Sequence, residues 1–196
     1  IHKTDDEGIY GDVVLRVEPL PREAGFQFHD ETNETQIPRQ YISAIEKALR
    51  GTLDNGVLTG FPMQDIRAVL IGGSYHETDS SEVAFEAAAV IAFESALQKA
   101  NPLLLEPIMD VRVIAPSEHI GKVIGDLNSR RAQISSTENR ATLEVVNAYV
   151  PLAQMFRYTT DLRSMTQGRG TFTMEFSHYA VVPANLRDVA LNRKWF

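Results

Sequence analysis

The sequence contains no cysteine. That removes disulfide staples, thiolate nucleophiles and cysteine-based metal sites together, and it suits a cytoplasmic protein. No run of apolar residues reaches the roughly 18 that a membrane helix needs, so no membrane partner is expected. No signal peptide opens the chain, because Ile1-His2-Lys3 leads straight into acidic residues. There is no initiator methionine, which suggests a piece of something longer. Positive charge is in short supply: 19 Lys and Arg stand against 26 Asp and Glu, a net charge of -7. A protein that grips nucleic acid through a broad basic face is thereby excluded, although small local RNA contacts are not. Phosphate-cradling glycine loops are missing as well, with neither G-x-x-x-x-G-K-[ST] nor G-x-G-x-x-G after a strand. His2, His29, His76, His119 and His178 are scattered without an H-x-x-x-H pair, so no metal site is expected.

What is present falls into two halves. Residues 1–105 hold 8 Lys and Arg against 17 Asp and Glu, while residues 106–196 hold 11 against 9. This shift, and the two prolines of "NPLLLEP" at 101–107, place a domain boundary between 105 and 106. In the first half, residues 11–20 and 24–31 read as strands. Helical spacing of Tyr41, Ile45, Ala48, Leu49 and Leu53 follows Pro38 and ends at Asn55-Gly56. A third strand covers 64–73. A second helix opens near Asp79 as cap, with Glu82 as its reciprocal partner, and stops before Pro102. The second half reads strand (108–116), helix opened by Ser117, a hairpin turning near Glu138-Asn139, helix (152–168) ended by Gly168, and strand (171–182). This β-α-β-β-α-β order is the split βαβ of ferredoxin-like domains. A last helix covers 184–195. Met155, Phe156 and Met165 read as core, and Gly168-Arg169-Gly170 as a helix end. The fold class is α+β in two domains.

The stretch "IGGSYHETDSSEVAFEAAA" at 71–89 allows three readings. His76, Asp79 and Glu82 could form an acid/base or metal cluster, as in a small hydrolase. The same residues could simply be a solvated tip and a capped helix. Or the tip could be a probe: Gly72 and Gly73 let the chain turn, the helix start offers N–H groups to phosphate, and Tyr75 and His76 stack on bases or bond ribose.

Gly73-Ser74-Tyr75-His76, Asp79-Ser80-Ser81 and Ala84-Phe85 resemble the G-S-Y-H-x-x-D-S-S-x-x-A-F signature of bacterial translation elongation factor G. "LEPIM" at 105–109, "VIGDLNSRR" at 123–131, "VPLAQMF" at 150–156, "LRSMTQGRG" at 162–170 and "MEFSHY" at 174–179 follow in the family's order. The resemblance runs from about residue 8 to 183. It implies domain IV, an α/β sandwich with a left-handed β-α-β crossover, followed by the ferredoxin-like domain V. It implies a ribosome-binding fragment, monomeric and without catalysis of its own. GTP and magnesium would belong to a GTPase domain upstream. The expected partners are ribosomal RNA, the A-site transfer RNA and messenger RNA region, and the large-subunit stalk base. The expected contacts are a tip of Gly8, Tyr10, Gly11, Gly73, Ser74, Tyr75 and His76, with Tyr75 buttressing His76. Arg130, Arg131, Arg163 and Arg169 are candidate phosphate contacts. A paralogue specialised in ribosome recycling or ribosomal protection is the alternative within the superfamily.

The sequence also departs from the family. The first tip loop, usually G-G-x-G-Q-[YF], reads Asp5-Asp6-Glu7-Gly8-Ile9-Tyr10, and Arg157 stands where glycine is usual. Three adjacent acids repel an RNA backbone. Replacing Asp5 and Asp6 by glycine in the complete factor should therefore tighten ribosome association at low salt. Co-sedimentation across a salt series checks this, and a slope and affinity equal to the parent's would refute it.

Overall fold

The computed structural model describes residues 9–58 and 60–192. The chain divides into two compact units at Pro102/Leu103. That is three residues before the boundary expected from charge, because the first strand of the second unit already starts at Leu105.

The first unit holds β1 (Asp12–Pro19), β2 (Phe26–Asp30), α1 (Arg39–Asn55), β3 (Ile66–Ser74) and α2 (Glu82–Lys99). Its sheet order is β1-β3-β2, with β1 antiparallel and β2 parallel to the central β3. Two adjacent parallel strands need a crossover, and α1 supplies it. The helices bury Ile45, Leu49, Leu53, Phe85, Ala89, Phe93 and Leu97 against Ile66, Ala68 and Leu70 of β3. The four-residue spacing from Phe85 to Leu97 gives α2 one continuous buried stripe. Arg67 of β3 joins a polar cross-strand ladder, bonding Gln27 and Glu18, and Arg16 of β1 bonds Glu18 and Glu31.

Gly72 and Gly73 do not form a hinge, contrary to the sequence reading. Both lie inside β3, paired with Val14 and Val13. Gly73 serves close packing instead: a Cβ there would stand 2.3 Å from the Asp12 carbonyl oxygen and 2.6 Å from Ile37 Cδ1.

The second unit holds β4 (Leu105–Pro116), α3 (Ile120–Ser129), β5 (Gln133–Arg140), β6 (Leu143–Pro151), α4 (Tyr158–Met165), β7 (Thr171–Val181) and α5 (Ala184–Asn192). The sheet order is β5-β6-β4-β7, antiparallel throughout. This is the split βαβ arrangement, with β6 inserted between β4 and β5, the strands that α3 connects. Val111, Val113 and Ala115 of β4 and Val146, Ala148 and Val150 of β6 meet Val123, Leu127, Tyr158 and Leu162 in the core.

Several local expectations shift. Ser117 caps no helix by its side chain; a single 3-10 turn, Ser117–His119, precedes α3. The hairpin turns at Ala141-Thr142, because β5 continues to Arg140 as an exposed edge strand whose polar residues mimic a turn. The helix expected over 152–168 is broken into a 3-10 turn, Leu152–Gln154, and the shorter α4. Arg157 between them is left-handed, with φ 63°. Phe156, expected in the core, falls at this break and is 64% exposed. The final helix is described to Asn192, so its expected end at Trp195 lies outside the described residues.

Gly73→Ala should destabilise the first unit by about 1–3 kcal/mol, since the backbone neighbour cannot yield. Gly125→Ala, in α3 with open space around its Cβ position, should instead stabilise by about 0.5–1 kcal/mol. Urea unfolding of the two variants checks the opposite signs.

Candidate nucleic-acid interface

The tip of the first unit forms where β3 runs out at Ser74 and the chain crosses residues 75–80 to reach α2. Tyr75 and His76 are both exposed; the His76 side chain is 59% accessible. The turn is closed from several sides. Ser80 N–H donates to the His76 carbonyl at 3.1 Å, and His76 N–H donates to Ser80 Oγ at 2.9 Å. Ser80 Oγ donates in turn to the Tyr10 carbonyl at 2.9 Å, and Tyr10 N–H donates to the Asp79 carbonyl at 2.9 Å. Residues 10 and 80 thus form a parallel bridge. The Tyr41 hydroxyl on α1 adds a bond of 3.3 Å to the Ser80 carbonyl, and its ring stacks on Phe85 at 4.7 Å.

Ser74 Oγ donates to Asp12 Oδ2 at 3.0 Å, so the contact of 2.6 Å between Tyr10 and Ser74 has the phenol as donor. The ring beside His76 is Tyr10, at 6.4 Å between centroids, rather than the expected buttress Tyr75. Gly11 lets this segment run against α2: a Cβ would stand 2.7 Å from the Ala84 carbonyl oxygen. Gly8 and the acidic residues before it lie outside the described residues.

His76 Nδ1 lies 3.1 Å from Thr78 Oγ1 and 3.2 Å from Asp79 Oδ2. Thr78 already donates its proton to Asp79 Oδ1 at 2.9 Å. The network therefore assigns an imidazole proton to Nδ1, and Nε2 has no hydrogen bond among the described residues.

The helix cap is Ser81, whose hydroxyl accepts from Ala84 N–H at 3.2 Å. This corrects the assignment of Asp79 and Glu82 as a capping pair. Asp79 is two residues too early and holds Thr78 and His76 instead, while Glu82 is the first residue of α2. Glu82 forms no hydrogen bond with His76 or Asp79, so the acid/base trio is not assembled. No group of three His, Asp or Glu is placed to hold a metal ion among the described residues.

Three of the four candidate phosphate-binding arginines are engaged inside the second unit. Arg130, only 13% exposed, pairs with Asp126 at 2.7 Å and Asp161 at 2.6 Å. It also donates to the Gln154 carbonyl and lies 5.0 Å over the Tyr158 ring. Burial first, then the Asp126 charge, push the Tyr158 phenol well above its usual range. Arg131 pairs with Glu106, and Arg169 pairs with Glu118 and donates to His119 Nε2. Arg163 is exposed on α4 and has no ion pair among the described residues. Asp126, four residues before Arg130, is a local partner; the other ion-pair partners lie 25 to 51 residues away and left no local signal in the sequence. Among the described residues no helix is long and apolar enough to cross a membrane.

Two domain families of one translation factor match the two units in chain order. Residues 1–101 match the model "Elongation factor G, domain IV" and residues 103–190 match "Elongation factor G C-terminus". The chain is 48% identical over 194 residues to an elongation factor G of Aquifex pyrophilus, covering 99% of this chain and 28% of that one. It superposes on a solved structure from Thermus thermophilus with a TM-score of 0.83 and 42% identity, over 97% of this chain and 28% of the other. The chain belongs to the elongation factor G family.

The Arg169 hydrogen bond, followed by its charge, holds the Glu118 carboxyl below the usual range. A lowered folded-state value means that this pair supports the fold above the unfolded carboxylate value and stops doing so as pH falls through the folded one. Arg169→Ala should raise the Glu118 value toward normal, readable by carboxyl NMR titration; an unmoved titration would refute the pairing.

Proposed function

We propose that this chain is the ribosome-binding carboxy-terminal portion of a translational GTPase. The complete factor would couple GTP hydrolysis to movement of transfer RNA and messenger RNA through the ribosome. Family membership supports the setting. The observation that carries the role is the tip: an exposed imidazole and an exposed tyrosine, held on a cross-braced turn at the end of an α/β unit. Such a surface suits RNA, because rings stack on unpaired bases and an exposed imidazole hydrogen-bonds a 2′-hydroxyl or a base edge. The net negative charge of the first half discourages adhesion elsewhere on the particle, leaving the shaped contact to decide position.

In this reading GTP and Mg²⁺ are held by an upstream GTPase domain, and these residues hydrolyse nothing themselves. The partners are ribosomal RNA, the A-site transfer RNA and messenger RNA region, and the stalk base of the large subunit. The factor acts as a monomer in the cytoplasm. Of the candidate arginines, Arg163 alone has no ion pair to break among the described residues before it meets a phosphate. The acidic Asp5-Asp6-Glu7 stretch favours a second reading, a paralogue that works in ribosome recycling rather than translocation.

His76→Ala in the complete factor should slow single-round translocation about tenfold, as expected for losing one stacking or hydrogen-bonding contact. Its unfolding free energy should shift by less than about 0.5 kcal/mol, since the side chain is exposed. Equal translocation rates for variant and parent would refute the role of His76. A parent that splits ribosomes but does not translocate would favour the second reading.

A further inference from the structure

Three serine hydroxyls stand close together at the tip, and each has a different task. Ser74 relays between Tyr10 and Asp12, and Ser81 caps α2. Ser80 alone of the three joins the His76 backbone to the Tyr10 backbone. A serine hydroxyl has one proton to give and lone pairs to accept with, so it serves both contacts at once: it accepts from His76 N–H and donates to the Tyr10 carbonyl, each at 2.9 Å.

We propose that Ser80 is a positioning residue for His76, its hydroxyl setting the height and direction of the imidazole by tying the 74–80 turn to Tyr10. The inference rests on the reading of the tip as an RNA contact. The backbone of Ser80 is itself anchored. Its N–H donates to the His76 carbonyl, and its own carbonyl accepts from Tyr41, whose ring is stacked on the buried Phe85. Ser80 thus sits where the tip turn, the segment before β1 and helix α1 meet. Without the hydroxyl, the exposed His76 N–H finds water, while the half-buried Tyr10 carbonyl loses its donor. The fold survives, but the His76 backbone N–H loses its side-chain tether. The Tyr10 ring, 6.4 Å from the imidazole, loses a link that keeps it there. A contact that must meet a fixed RNA surface is sensitive to such loosening, since a shift of about 1 Å is enough to lower a rate substantially.

The test uses the complete factor with Ser80→Ala, Ser80→Thr, His76→Ala and the double variant Ser80→Ala/His76→Ala. Single-round translocation, ribosome-stimulated GTP hydrolysis and thermal unfolding are measured for each. Ser80→Ala should translocate about three- to tenfold more slowly, the span expected for one or two lost hydrogen bonds. GTP hydrolysis should be unchanged. Ser80→Thr, which keeps a hydroxyl, should recover most of the rate. In the His76→Ala background, Ser80→Ala should cost nothing further, because the two residues act through one contact. A parental rate in Ser80→Ala overturns the proposal. So does a failure of Ser80→Thr to recover, or a Ser80→Ala loss of equal size with and without His76, which would mark a merely structural role. A parental rate in His76→Ala overturns the RNA-tip reading itself, and the Ser80 inference falls with it.

Discussion

Strand β3 is hydrogen-bonded on both sides, antiparallel to β1 and parallel to β2, from Ile66 into the fully buried Leu70. The β1 pairing then skips Ile71 at a β-bulge and resumes without β2 through Gly72 and Gly73 to Ser74. The tip begins one residue later. That ladder is the constraint on which the rest of the first unit depends: the position of residues 75–80 is inherited from a strand fixed in the core. Burying β1 and the Ile37 side chain against this ladder leaves no volume for a side chain at 73, which is why a glycine stands there in a strand, where it is otherwise unfavourable.

The second unit is held differently. Its sheet is covered by apolar side chains of α3 and α4, and Arg130 links the two helices through Asp126 and Asp161. A guanidinium this buried is tolerable because each direction of its fork meets an acceptor and its flat face meets Tyr158. The cost is that the same cation is unavailable to an outside phosphate. Four of the eleven Lys and Arg of residues 106–196, namely Arg130, Arg131, Arg140 and Arg169, are spent on internal pairs to Asp126, Asp161, Glu106, Glu118 and Glu138. Counting charges therefore misjudges how much of a surface can attract RNA.

The regular elements were legible because their signals are local. Tyr41, Ile45, Leu49 and Leu53 mark one helix face, and alternation marks β1 and β6. The β-α-β-β-α-β order and the family motifs followed from the same residues. Events decided at long range were not legible. Asp79, Ser80 and Ser81 are all competent caps, and only the path of the chain past Tyr10 determines that Ser81 caps while Asp79 turns to His76. Tyr10 became the ring beside His76 through a bridge across 70 residues. The double glycine looked like a hinge because its reason, the Asp12 carbonyl and Ile37, lies elsewhere in the chain. Phe156 fitted a helical stripe until the left-handed Arg157 broke the helix beneath it.

The crowding around Gly11 and Gly73 has a consequence for how such a tip can diversify. Both positions are closed to any residue with a Cβ unless main chain moves, whereas Tyr75, His76, Glu77 and Thr78 all face solvent. Variation, whether by drift or in a randomised library, is funnelled into those four consecutive codons. A new binding preference can arise there without renegotiating the interior, so the tip behaves as an exchangeable cartridge on a frozen mount.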